Sequence, residues 1–173
     1  RIWESRLEDA LPMWRAMEFN QQAELLVMDL FKERLLPDLV LDALRTDLSL
    51  STELRDMAIH LATQRQAPHA GALNRIAWDL VDPDGVAQGD SVFGLTLARA
   101  AVDGKPTQAK YRKTLAWALF ANGLHHEAEA QMKQALDLEN SSLRKRRLRE
   151  DLTRLRAMSE QARTPTPSPD DGR

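Results

Sequence analysis

Three short stretches hold residue types that could do chemistry, and each falls short of its pattern. Gly89-Asp90-Ser91-Val92-Phe93-Gly94 sets a serine between two glycines, as in a nucleophile turn. It has one residue too many for Gly-x-Ser-x-Gly, and no strand-like run precedes it. Asp82-Pro83-Asp84-Gly85 opens like a calcium loop, yet the third oxygen ligand and the distal glutamate are missing. His125 and His126 are adjacent, so on a helix they point about 100° apart and cannot both chelate one ion. Cysteine is absent, which excludes thiolate chemistry and leaves the four histidines (His60, His69, His125, His126) as the soft metal ligands. The sequence therefore offers no catalytic residue, no cofactor site and no metal site. Its expectation is a protein that is not an enzyme.

Aromatic and basic residues give a more coherent pattern. Trp78 and Trp117 stand at matching places in two similar segments, each near cations: Asn74, Arg75 and Trp78 in the first, Lys110, Lys113, Trp117 and Phe120 in the second. Val81 and Thr114 fall on the same faces. Side by side, two indoles flanked by lysines would hold an extended or helical peptide bearing acidic residues. The other account of the tryptophans is that both are core. A second feature is the basic run Arg144-Lys145-Arg146-Arg147-Leu148-Arg149, which suits phosphates or an anionic surface. No aromatic residue interleaves with it, so base stacking is not supported. The run reads as a solvated helix partly balanced by Glu150 and Asp151, and nucleic acid is an unlikely partner.

The elements that must position these side chains are helical. The chain of 173 residues is 43% hydrophobic and 29% charged, with a formal net charge of −2. Leu, Ala, Glu, Arg and Gln dominate, β-branched clusters are few, and glycine and proline fall between periodic segments. An all-α fold follows. Glu18–Leu36 carries Ala23, Leu26, Val27, Leu30 and Phe31 at core-facing spacing and should stop at Pro37. Helices over 38–45 and from about 54 to 65, the second capped by Ser51, should form a hairpin spanning 38–66. Before them, Trp3, Leu7, Ala10, Leu11 and Trp14 suit a helical face, but Pro12 should interrupt it. That segment is expected to pack on residues 20–36. No apolar run reaches the roughly 20 residues of a membrane span. Arg1-Ile2-Trp3-Glu4 does not open like a signal peptide, so a cytoplasmic location is expected. The leading arginine suggests a piece of a longer polypeptide.

Residues 73–106 and 112–140 echo one another. Ala101, Val102 and Pro106 return as Ala135, Leu136 and Asn140 at an offset of 34, while Ile76-Ala77-Trp78 returns as Leu115-Ala116-Trp117 at 39, because the first copy carries extra residues within Asp82–Ser91. A 34-residue helix-turn-helix period resembles the tetratricopeptide repeat. Leu115-Ala116, Leu119, Gly123, Ala128, Met132, Ala135 and Asn140 stand at the motif positions of the second copy. Ile76-Ala77, Leu80, Gly94, Ala98, Ala101 and Pro106 do so in the first.

That resemblance implies an α-solenoid: an N-terminal helical region over 1–66, repeats over 70–106 and 107–140 within 67–141, a polar capping helix over 142–160 and a disordered tail over 161–173. It implies a scaffold that binds a protein or peptide through its first helices. The carboxylate-clamp subclass carries Asn where Trp78 and Trp117 stand here. Residues 41–51 and 73–78 further resemble tetratricopeptide regions beside bacterial, planctomycete-type serine/threonine kinases. The alternative that follows is a regulatory or docking region of such a kinase, although no glycine-rich phosphate loop, His-Arg-Asp or Asp-Phe-Gly occurs.

Overall fold

The computed structural model describes residues 2–85 and 89–163, with side chains for 13–85 and 89–162. The tail from Thr164, expected to be disordered, lies outside the described residues. The described chain is helical throughout, without strands, and divides into two compact units, Arg1–Pro68 and His69–Arg173.

In the first unit, α1 (Ile2–Arg34), α2 (Pro37–Thr46) and α3 (Thr52–Thr63) pack on one another. The face of α1 predicted to point inward does so: Ala23 and Val27 meet Val40 and Leu44 of α2 and Ala58 and Ala62 of α3, with Leu26, Leu30 and Phe31 of α1 and Leu54 and Leu61 of α3 packed against them. Pro37 stands at the start of α2, and the preceding Leu36 is extended, as a residue before proline prefers. Ser51 caps α3 by accepting the Leu54 amide N–H. The Arg55 guanidinium donates to the carbonyls of Asp47 and Leu50 at 2.7 and 3.0 Å, which closes the α2–α3 connector.

The predicted interruption at Pro12 is not seen. One continuous helix runs through it, so residues 2–17 extend the rod and do not fold back on residues 20–36. A proline inside a helix removes one N–H and kinks the chain locally; good helix formers on both sides carry the rest. Trp14 is consequently 67% exposed, with Met13 and Met17 beside it in solvent.

The second unit is a row of helices: α4 (Ala70–Val81), α5 (Ser91–Gly104), α6 (Ala109–Ala121), α7 (His125–Leu138) and α8 (Ser142–Arg163). Each packs on the next, and α6 also contacts α4 on one side and α8 on the other. Small residues let these helices approach. A Cβ on Gly94 would come within 2.7 Å of Val81 Cγ1 and 3.2 Å of Leu80 Cβ, so α5 crosses α4 where only glycine fits. Ala98, Ala101, Ala116, Ala128 and Ala135 are fully buried. Gly123, at φ +76°, makes the left-handed turn between α6 and α7. The Asn122 amide donates to the Ser91 and Ala118 carbonyls, each at 2.8 Å, pinning the start of α5 to the end of α6.

Two caps were not legible as such. His69 caps α4 by accepting the Ala72 N–H through Nδ1 at 3.2 Å, and Asp90 of the glycine-flanked serine stretch caps α5 through the Phe93 N–H at 2.9 Å.

Candidate functional site

The exposed faces of α4 and α6 meet along a depression of about 320 Å³ lined by Gly71, Asn74, Arg75, Trp78, Lys110, Lys113 and Thr114. Five of the seven sequence-predicted residues are therefore together. Helical spacing explains it: Asn74 and Trp78 are four apart on α4, and Lys110 and Lys113 three apart on α6, so each pair shares a face. Lys113 Nζ lies 5.0 Å from the Trp78 ring centroid, a cation–π contact, and 2.9 Å from Asp151 Oδ2 of α8. Its charge is engaged on both sides. No described carboxylate pairs with Arg75 or Lys110.

Asn74 is the anomaly of this surface. It is 2% exposed, and its Oδ1 has no hydrogen-bond partner. A buried amide oxygen left unpaired costs about 1–3 kcal/mol relative to a satisfied one, so most proteins avoid it. Here it occurs on the wall of a depression.

The other two predicted residues sit elsewhere. Trp117 is 1% exposed, and its indole Nε1 also lacks a partner. It does not stand beside Trp78 as a second platform. The reason is α8, which lies along α6: the Arg154 guanidinium covers the Trp117 ring at 5.6 Å, and Phe120 meets it edge-on at 5.8 Å. Trp117 and Phe120 instead border a separate hollow with Pro83, Gly89 and Met158. The expectation of two adjacent indoles thus gives way to one open tryptophan and one core tryptophan.

The pseudo-calcium loop has another use. Asp84 takes both Arg154 amines at 2.8 and 3.0 Å, and this bidentate contact holds its carboxyl below the usual range. Asp84, Asp151 and Arg154 were missed as contributors. The available signal was an acidic residue at 151 amid a basic stretch and an arginine at helical spacing from it.

The basic run is partly paired. Arg144 Nε donates to Glu139 at 2.9 Å, and Arg146 lies 3.8 Å from Glu150. The Glu139 carboxyl is lowered first by the Ser141 backbone N–H and then by Arg144. A second hollow of about 290 Å³ adjoins the first, sharing Lys110 and Lys113 and adding Glu139, Arg144, Arg147, Leu148 and Asp151, so both signs of charge line it. Leu148 and Leu155 of α8 are buried. His125 packs against Phe120 at 4.9 Å between ring centroids, so it is spent in packing.

Among the described residues there is no group of three or more His, Asp or Glu able to hold a metal, and no helix is long and apolar enough to cross a membrane. Comparison with protein-family models, curated proteins and solved structures gives no match.

Proposed function

We propose that this chain is a non-catalytic docking module of tetratricopeptide type, carried by a larger bacterial protein, and that it works by holding a partner protein between the first helices of its two helical repeats. The observation that supports this best is the convergence of Asn74, Arg75, Trp78, Lys110 and Lys113 on one depression. The repeat period puts these residues on equivalent faces of α4 and α6, and a repeat scaffold uses such faces for partners. The mixture of one aromatic ring, free cations and an unfilled amide acceptor suits recognition of polypeptide.

The test is comparative capture. The whole chain and an Arg75→Glu, Lys110→Glu variant are immobilised, and proteins retained from a bacterial extract are identified. Proteins held by the parent chain and lost by the variant are expected. An identical set on both would refute the depression as the docking surface.

A further inference from the structure

We propose that the partner presents an extended acidic segment, whose backbone pairs with Asn74 and whose carboxylates lie on Arg75 and Lys110. This rests on the docking reading above and specifies its partner.

Three observations lead to it. Asn74 is buried, unpaired and on the wall of the depression. An asparagine amide offers an acceptor and a donor side by side, the complement of one peptide group. An extended backbone has those groups free, whereas a helix has used them internally. Turning the amide about its last torsion, which is broad and nearly two-fold, brings either atom toward the opening.

The chain also displays the charge chemistry that this wall accepts. Asp151 already places a carboxylate on Lys113 at 2.9 Å. Lys110, one helical turn away on α6, and Arg75, across the depression on α4, have the same character and no carboxylate. Trp78 is half-buried, with Lys113 against its ring. In the adjoining hollow Glu139 pairs with Arg144 and Asp151 with Lys113, which leaves Lys110 and Arg147 as the cations there without a described carboxylate.

Single cations spaced along a row fit successive carboxylates better than one compact phosphate, which calls for convergent forked arginines. Nucleic acid is disfavoured at this depression because its indole, Trp78, already has a lysine against it.

Selection of a random twelve-residue peptide library against the whole chain tests this, followed by titration of the best peptide into variants. Enrichment of at least two Asp or Glu residues is expected. Affinity should fall about tenfold or more in Asn74→Ala and in Lys110→Glu, and a lysine-substituted peptide should regain binding to Lys110→Glu. Affinity should also weaken as salt rises from about 0.05 to 0.5 M. Selection of no peptide would overturn the docking reading itself. Selection of apolar or basic peptides, or acidic ones indifferent to Asn74→Ala and Lys110→Glu, would overturn this inference alone. Tighter binding of generic single-stranded DNA than of any selected peptide would also overturn it. Thermal unfolding of both variants near the parent value separates lost binding from lost folding, and Asn74→Ala should not be less stable by more than a few degrees, since it removes an unpaired amide.

Discussion

The two tryptophans of the echo should respond unequally to the same truncation. Trp117 is 1% exposed and packs against Phe120 and Arg154, so Trp117→Ala deletes a fully buried indole. Such truncations cost about 3–5 kcal/mol from lost transfer energy and the cavity left behind. The indole N–H, however, has no acceptor, and its removal recovers part of a penalty of roughly 1–3 kcal/mol. The expected loss is therefore near the lower bound, about 3 kcal/mol. In a unit of this size 1 kcal/mol shifts the midpoint by about 4–8 °C, so the second unit should melt lower by more than ~12 °C. Trp117→Phe keeps ring contact and discards the unpaired donor, so it should lose only about 1 kcal/mol. Trp78→Ala, at a half-buried ring whose other face is open, should cost less than about 1.5 kcal/mol. Urea titration followed by circular dichroism reads all three. Equal losses for Trp78→Ala and Trp117→Ala, or a loss below about 1 kcal/mol for Trp117→Ala, would refute the division of the pair into surface and core.

Three further outcomes are expected. Gly94→Ala forces a methyl within 2.7 Å of Val81 Cγ1 and should destabilise the second unit by about 1–3 kcal/mol in the same titration. Gly123→Ala meets no atom within 4 Å but keeps φ +76°, so its loss of about 1 kcal/mol is purely conformational, and Gly123→Asn should recover part of it. Glu129 takes hydrogen bonds from Lys133, at 2.8 Å, and from Arg156 of α8, at 2.9 Å, which lower its carboxyl to about 2. A carboxyl lowered by folding stabilises the fold above its ordinary value of 4.5, and that contribution is lost as pH falls toward 2. After solvent screening the expected size is roughly 1 kcal/mol. Melting curves from pH 6 to 2 should show this component in the parent chain and not in Glu129→Gln.

Helix existence and the inward faces were legible because they depend on local periodicity. Ala23, Leu26, Val27, Leu30 and Phe31 could be read as a core stripe without knowing what they meet. The capping serine at 51 and the proline at 37 act within one turn, and they too were legible. Pro12 misled because its penalty is local while the helical preference of its neighbours is summed over many residues. For the site, periodicity put Asn74, Arg75, Trp78, Lys110 and Lys113 on faces that converge on one depression. It could not say that Trp117, on an equivalent face, is covered, because that depends on α8 and on a connector some thirty residues upstream of it. His69 and Asp90 as caps were equally hidden, since a cap is defined by where the helix begins.

The different fates of Trp78 and Trp117 follow from one arrangement repeated with unequal ends. Each ring receives a cation from the helix two places along the row: Lys113 of α6 lies against Trp78 of α4, and Arg154 of α8 lies against Trp117 of α6. Each cation in turn holds a carboxylate, Asp151 for Lys113 and Asp84 for Arg154. In this sense α8 stands toward α6 as α6 stands toward α4, and its basic sequence supplies the same ring partner. What differs is the origin of the carboxylate. Asp84 belongs to the extra residues between α4 and α5, and the hollow bordered by Pro83, Gly89 and Met158 places that connector beside Trp117. The described residues of this connector thus border the hollow beside the second tryptophan, and through Asp84 they hold the arginine that covers its ring. Among the described residues, the depression at the first tryptophan is lined by helix residues alone, and there Lys110 and Arg75 stand without carboxylates. If the connector is what separates core from surface, Asp84→Ala should loosen Arg154 and raise the exposure of Trp117, read as a red shift and stronger acrylamide quenching, while leaving Trp78 unchanged. No change in quenching would show that α8 covers the ring without help from the insertion.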